Sequence, residues 1–461
     1  MPNSTGSGVE ISGWTPGPDG RGTLDIIWTS VVTMFLCSWT VLCLNLPPDF
    51  FTDRMWVRQK LLMTGLVFIG PEFLFQLALG QWLSAHNSVK QFQSSGLDNW
   101  TMKHAFFADM GGYVFDDPEE MARFPLTAKQ VYYLVHKGYV GVDDALVQPK
   151  VIADRNKGDG VTRLITCCQI FWFFLNTAGR MAQGLAITTL ELTTLATIFC
   201  TLATYTAWMH KPLDVKTAVP LKPKKPLRLI LDDAIVAGEY SGEPYRRTPL
   251  DFIEAAPSSW YIYWSYGMDV FRRMHIHFWR AKARPAVKIA EDHFLPLSGR
   301  LNLLLFAFQL AFTAIHLAGW NFFFPTPAER VLWHVSSAIS VACVFVYWAV
   351  DLFAFDVLPW VYGKFPSVVR CKHALERSVD KRAPGSMHER CHATAARLRN
   401  LSEGRDPQFA VPLKAIAPVA VLVTAYCATR AIVLIECFIG LRLLPVTAYK
   451  TVRWASFVPH F

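Results

Sequence analysis

Charge is scarce in this chain. Asp, Glu, Lys and Arg make up 18% of its 461 residues, against about 25% in ordinary soluble domains. Too few charges are present to clothe a water-soluble surface of that size. Residues 1–21 hold no basic stretch followed by a short apolar core. A cleaved signal peptide is therefore not expected, and the first apolar run is expected to stay as an anchor. Cysteine is present but gives no disulfide framework. Cys37, Cys43, Cys167, Cys168, Cys200, Cys343, Cys427 and Cys437 lie in or beside apolar runs, where Cys acts as a small hydrophobe. Only Cys371 and Cys391 sit in a polar loop. There is no P-loop, no G-x-G-x-x-G fingerprint and no G-x-S-x-G elbow, so nucleotide binding and serine hydrolysis lack a motif. Asp232-Asp233 lacks the further acid of the aspartate-rich prenyl-diphosphate motif. No internal repeat or inverted half stands out.

Hydrophobic residues are abundant, at 52%, and 14% of the chain is aromatic. They gather into runs of about 20 residues, the length a helix needs to cross a bilayer. Six such runs are 23–46, 61–85, 186–209, 301–324, 331–355 and 415–439. A shorter aromatic run, 164–179, reads as a re-entrant or interfacial segment. The expected fold is an all-α polytopic membrane helix bundle, with about six transmembrane helices plus that re-entrant or interfacial helix.

Charge sets the expected orientation, because cytosolic loops are richer in Lys and Arg. Residues 210–300 hold 15 Lys and Arg against 10 Asp and Glu, and residues 356–413 hold 10 against 6. Between 85 and 160 the balance is 8 against 10. The chain thus divides into a lumenal tail (1–22), two crossings (23–85), a lumenal loop (86–163) and the re-entrant segment with a third crossing (164–209). A basic cytosolic loop (210–300), a transmembrane hairpin (301–355), a second basic cytosolic loop (356–414) and a last crossing with its tail (415–461) follow. The basic tail residues Arg442, Lys450 and Arg453 run against this scheme. The sequons at Asn3 and Asn99 then face the lumen as glycosylation sites, and the one at Asn400 faces the cytosol. Helices are expected at 102–110 and 126–136. Residues 222–226 read as an extended linker, and residues 260–279 as a helix on the membrane surface.

Ionisable residues inside apolar runs are costly and face partners or cavities. Glu72, Glu191, His316 and Arg430 are the candidates. Counted from the cytosolic end at the helical rise, Glu72 lies about 16 Å deep, His316 and Arg430 about 22 Å and Glu191 about 27 Å. One polar site shared by all four is therefore expected. A carboxylic acid held away from water stays protonated and can act as a general acid. The competing structural reading pairs Arg430 with one carboxylate. Outside the runs, His104 with Asp109 and the acids 116–120 are weak metal candidates. His388-Glu389-Arg390-Cys391-His392 matches H-E-x-x-H in a basic loop, where a solvated helix is the plainer reading. The sequence names no cofactor. The net charge of +9 suits anionic lipid, so nucleic acid need not be invoked as a partner.

Several phrases carry a resemblance. They include Arg21-Gly22-Thr23-Leu24-Asp25-Ile26-Ile27-Trp28, Pro71-Glu72 and Trp100-Thr101-Met102-Lys103-His104-Ala105-Phe106-Phe107. Trp208-Met209-His210-Lys211-Pro212 and Trp320-Asn321-Phe322-Phe323-Phe324-Pro325-Thr326 extend it along the chain. The chain resembles a family of fungal multi-pass membrane proteins, some of them in secondary-metabolite gene clusters. It is also similar to membrane-bound terpene cyclases that close a prenyl chain on a meroterpenoid. That implies an endoplasmic reticulum membrane enzyme acting on a hydrophobic small molecule beside other pathway enzymes, and it carries over no catalytic motif. Proton-initiated cyclisation needs a neutral carboxyl in an apolar pocket and aromatic faces for the cation. Glu72 or Glu191 could supply the acid, with His316 and Arg430 orienting it. A transporter or receptor, or a scaffold built on the basic loops, would use the same architecture.

Overall fold

The computed structural model describes residues 10–17, 20–48, 50–147, 152, 160–242, 245, 247–254, 264, 285–297, 299–353 and 413–454. Most of these are helical. The helices are α1 (Thr23–Val41), α2 (Asp53–Ile69), α3 (Pro71–Ser94), α4 (Met102–Asp109), α5 (Ala128–His136) and α6 (Val142–Ala145). They continue as α7 (Gly160–Ala182), α8 (Thr189–Ala207), α9 (Leu227–Val236), α10 (Gly299–Leu317), α11 (Pro327–Leu352) and α12 (Leu413–Ile439). Short strands, which an all-α expectation omits, form two small sheets. β1 (Glu10–Ser12) pairs with β5 (Leu443–Pro445), and β2 (Tyr113–Asp117) lies between β3 (Ala122–Leu126) and β4 (Val219–Leu221).

Among the described residues, four helices are long and apolar enough to cross a membrane: Thr23–Val41, Gly299–Asn321, Pro327–Leu352 and Val419–Arg442. Asp53–Ile69 and Pro71–Ser94 add a fifth if they count as one element, but they are bent by 111°. The run at 61–85 is therefore not one straight helix. Pro71 has no N–H to continue the ladder from α2 and instead occupies the first position of α3. Gly70 is needed at the corner, because a Cβ there would lie 2.7 Å from the Phe73 ring. The segment at 164–179 is helical. It belongs to the 23-residue helix α7, about 34 Å long at the helical rise. α7 leaves Leu164, Ile165, Phe171, Trp172 and Phe174 exposed along its outer side.

α8 is the central helix, packed by α1, α3, α10 and α12. Its many threonines lower its hydropathy, yet nearly all are buried. Thr194, Thr197, Thr201 and Thr204 return their hydroxyls to carbonyls one turn back. The polar groups are thus satisfied within the helix.

The bundle has two distinct ends. At one, the β1–β5 sheet gathers the start of α1 and the end of α12, where Arg21 N donates to Tyr449 O. Arg180 at the end of α7 donates to the carbonyls of Thr447, Ala448 and Lys450. Arg442 reaches Glu329 in the first turn of α11 at 2.6 Å. At the other end, α4, α5, α9 and the three-stranded sheet enclose an aromatic core of Trp100, Phe106, Phe107, Tyr113, Phe115 and Phe124.

That core joins two segments far apart in the chain. β2 comes from residues 86–163 and β4 from residues 210–300, and they pair in parallel, Tyr113 with Val219 through Phe115 with Leu221. Two segments that the charge balance places apart are thus hydrogen-bonded to each other. The acids of the first loop are spent on contacts with the second. Asp117 accepts from Leu227 N at 2.9 Å and Glu120 from Arg228 N at 3.1 Å, at the start of α9. These acids therefore have partners of their own within the fold.

Candidate functional site

Tyr426 and Arg430 lie one turn apart on α12, so they share a face. Both reach the corner between α2 and α3. Tyr426 donates its hydroxyl to Glu72 Oε1 at 2.6 Å. The guanidinium of Arg430 donates to the carbonyl of Ile69 at 3.1 Å through Nη2, with Nε at 3.4 Å. Ile69 ends α2, and the last carbonyls of a helix favour a cation. Glu72 stands in the first turn of α3, where an acid is favoured. The broken helix thus explains the charge pattern: its two halves present opposite partial charges at one corner.

His316, near the end of α10, closes the group. Arg430 Nη1 lies 3.1 Å from His316 Nε2. Arginine only donates, so this ring nitrogen carries the lone pair and the imidazole is neutral. Arg430 also sits over the Phe312 ring at 5.0 Å. Trp333 donates its indole N–H to the His316 carbonyl at 3.2 Å, and Phe73 meets the Tyr426 ring edge-on at 6.1 Å. Glu72, His316 and Arg430 are 2%, 3% and 4% exposed, which rules out water as their solvent. Glu72 Oε2 is buried with no partner among the described residues.

Three of the four expected residues therefore meet, and Glu191 does not join them. It occupies the third position of α8, where it accepts from Thr188 N at 2.9 Å in a capping box. Its other oxygen is 2.5 Å from Arg21 Nη2 and 3.9 Å from Arg180 Nε. The cluster sits at the β1–β5 end. Arg21 and Arg180 went unmatched to Glu191 in the sequence because neither lies within its apolar run. Tyr426 was equally unmarked, although its spacing of four from Arg430 places both on one side of a helix.

The other candidates have structural partners. His104 bonds the Val147 carbonyl at 2.6 Å and Thr101 N at 3.1 Å, and burial pushes its pKa down. Asp109 accepts from Ala128 N at 2.9 Å at the start of α5, and burial pushes its carboxyl up to about 6. His334 stacks on Trp320 at 3.9 Å, away from His316. Among the described residues no group of three or more His, Cys, Asp or Glu could hold a metal. Asn99 is exposed beside the buried Trp100. Asn3, Asn400, Cys371, Cys391, His388, Glu389 and His392 lie outside the described residues, as does almost all of 260–279.

A separate cavity of about 240 Å³ opens at the β1–β5 end, between the start of α8, the end of α12 and the turn Asn321–Phe324.

No curated protein and no solved structure matches this chain. Residues 1–231, which include Glu72, Glu191, Arg21 and Arg180, match a family of unknown function (DUF8562), and the chain belongs to that family.

Proposed function

We propose that this chain is a membrane-embedded enzyme acting on a hydrophobic metabolite, with Glu72 as its proton donor. The observation that carries this is the state of Glu72. It is a buried carboxyl at the corner of a broken helix, with one oxygen on Tyr426 and the other without a partner among the described residues. Aromatic rings of Phe73, Tyr426 and Phe312 stand around the corner, as a carbocation requires. The concrete form is proton-initiated closure of a prenyl chain. The Glu72 O–H bond breaks as its proton adds to a double bond of the chain. A carbon–carbon bond then closes the ring, and the final cation returns a proton to the carboxylate. His316, neutral and held by Arg430, is a positioning residue. The likeness to fungal membrane terpene cyclases and an endoplasmic reticulum location belong to this same reading.

The reading includes six crossings: α1, α7, α8, α10, α11 and α12. The α2–α3 pair is then the re-entrant element, exchanging roles with the run at 164–179. Its two arms support this. Lys60 of α2 reaches Asp214 at 3.4 Å, and Gln81 of α3 accepts from Trp208 at 3.0 Å, both beside the end of α8. Lys211 joins Gln81 to the Cys43 carbonyl just past α1. The corner, by contrast, reaches Arg430 inside the bundle. α8 crosses despite its threonines because neighbouring helices shield it from lipid.

The test compares metabolites from a host with the intact gene, a deletion strain and strains carrying Glu72→Gln or Tyr426→Phe. An uncyclised intermediate is expected in the deletion and in Glu72→Gln, with a partial loss of product in Tyr426→Phe. Unchanged products from a normally accumulating Glu72→Gln protein would overturn the enzyme reading. The break at Gly70–Pro71 also favours a second reading as a transporter, because broken helices near mid-membrane line transport sites. In that case the compound changes location and not structure.

A further inference from the structure

The cavity at the β1–β5 end holds a second carboxylate without a mate. Glu436 lines it and is 5% exposed, and its Oε1 has no partner among the described residues. Glu436 stands six residues after Arg430 on α12, about 9 Å further along the axis and on a different face. It is therefore not part of the Glu72 group. Gly440 leaves room beside that oxygen: a Cβ there would stand 3.2 Å from Oε1. The charged groups that act on it are Glu329 and Arg442, and these are paired with each other at 2.6 Å. The local cation is thus already engaged by Glu329. The opposite wall is apolar and aromatic, made by Phe322 and Phe324 in the turn between α10 and α11 with Leu441 and Leu444.

A buried carboxylate calls for a charged donor, and aromatic faces beside it favour a cation. We propose that this cleft binds a small organic ammonium ion with an apolar body. The N–H donates to Glu436 Oε1 while the body packs against Phe322 and Phe324. The volume suits a group the size of a phenethylammonium ion and excludes a bulky polycycle.

The experiment uses the full chain in lipid nanodiscs and isothermal titration with phenethylamine at neutral pH. Phenethyl alcohol and 3-phenylpropanoate are the comparators. Saturable binding of the amine is expected, with the alcohol at least about tenfold weaker and the acid not bound, since a hydrogen bond to a buried charge is worth that much. Glu436→Gln weakens the amine by about tenfold or more and leaves the alcohol unchanged. Gly440→Ala keeps the carboxylate but crowds it, and weakens the amine too. Equal binding of the amine and alcohol to the native chain overturns the proposal. So does an unchanged amine affinity in a folded Glu436→Gln protein. If neither variant folds, the ranking of the three compounds on the native chain decides.

Discussion

Replacing Glu191 by Gln separates structure from chemistry more sharply than any other single change. Glu191 and Arg180 are each 1% exposed, and Arg21 is 9% exposed, so the group is cut off from water. Arg180 keeps its bonds to the carbonyls of Ala186, Thr447, Ala448 and Lys450 when the carboxylate goes. Arg21 has no such reserve. Its Nη2 bonds Glu191, and its Nη1 has no partner among the described residues. Removing one member of a buried pair costs about 3–5 kcal/mol. The remaining bonds of Arg180, and the amide oxygen of Gln, put this case near the lower figure, about 3 kcal/mol. The assay is thermal unfolding of the detergent-purified chain by tryptophan fluorescence at one scan rate. For a chain of this size the midpoint falls by roughly 3 °C. Adding Arg21→Gln to the variant recovers part of the loss, because the uncompensated cation goes too. Metabolite production per folded molecule stays at the native level. An unchanged midpoint together with lost product would refute the reasoning and make Glu191 a participant in the reaction.

Three further outcomes are expected. Burial lifts the Asp109 carboxyl to about 6, so between about pH 4 and 6 the folded chain holds a proton that the unfolded chain has lost. Stability therefore falls as pH rises through that window, by up to about 3 kcal/mol. Asp109→Asn keeps an acceptor for Ala128 N and flattens the profile of unfolding midpoint against pH; a profile as steep as the native one sinks this account. Gly112→Ala would place a Cβ 2.4 Å from the Phe107 carbonyl oxygen, an overlap costing about 3 kcal/mol or more, read as loss of folded protein in fluorescence-detected size exclusion. With the sheet-bearing face cytosolic, the glycosidase-sensitive mobility shift disappears in Asn3→Gln and persists in Asn99→Gln; the reverse pattern inverts the orientation.

Much of the local structure was legible. The helices expected at 102–110 and 126–136 appear as Met102–Asp109 and Ala128–His136. Their ends are set by neighbouring side chains, as in the bond from Gln130 N to Thr127 Oγ1. The membrane character was legible too, because apolar runs and scarce charge are properties of composition. Glu72, His316 and Arg430 stood out for the same reason: an ionisable group in an apolar run is conspicuous by itself. The metal readings of His104 and Asp109 rested on residue type alone, and their actual bonds go to backbone atoms that no motif records.

Tertiary structure decided the rest. The run at 186–209 stood out by its apolar content, but that its helix α8 is central, surrounded by α1, α3, α10 and α12, is decided by packing. The run at 61–85 looked continuous because its apolar content ignores the corner at Gly70–Pro71. The pairing of Glu191 with Arg21 spans 170 residues, and that of Tyr426 with Glu72 spans 354. The sheet that pairs β2 with β4 joins strands about a hundred residues apart. Composition and periodicity act over one or two helical turns and determine which segments become helices and enter the membrane. Which charges meet, and which loops pair, depends on contacts between distant segments and comes into being only when the chain has packed.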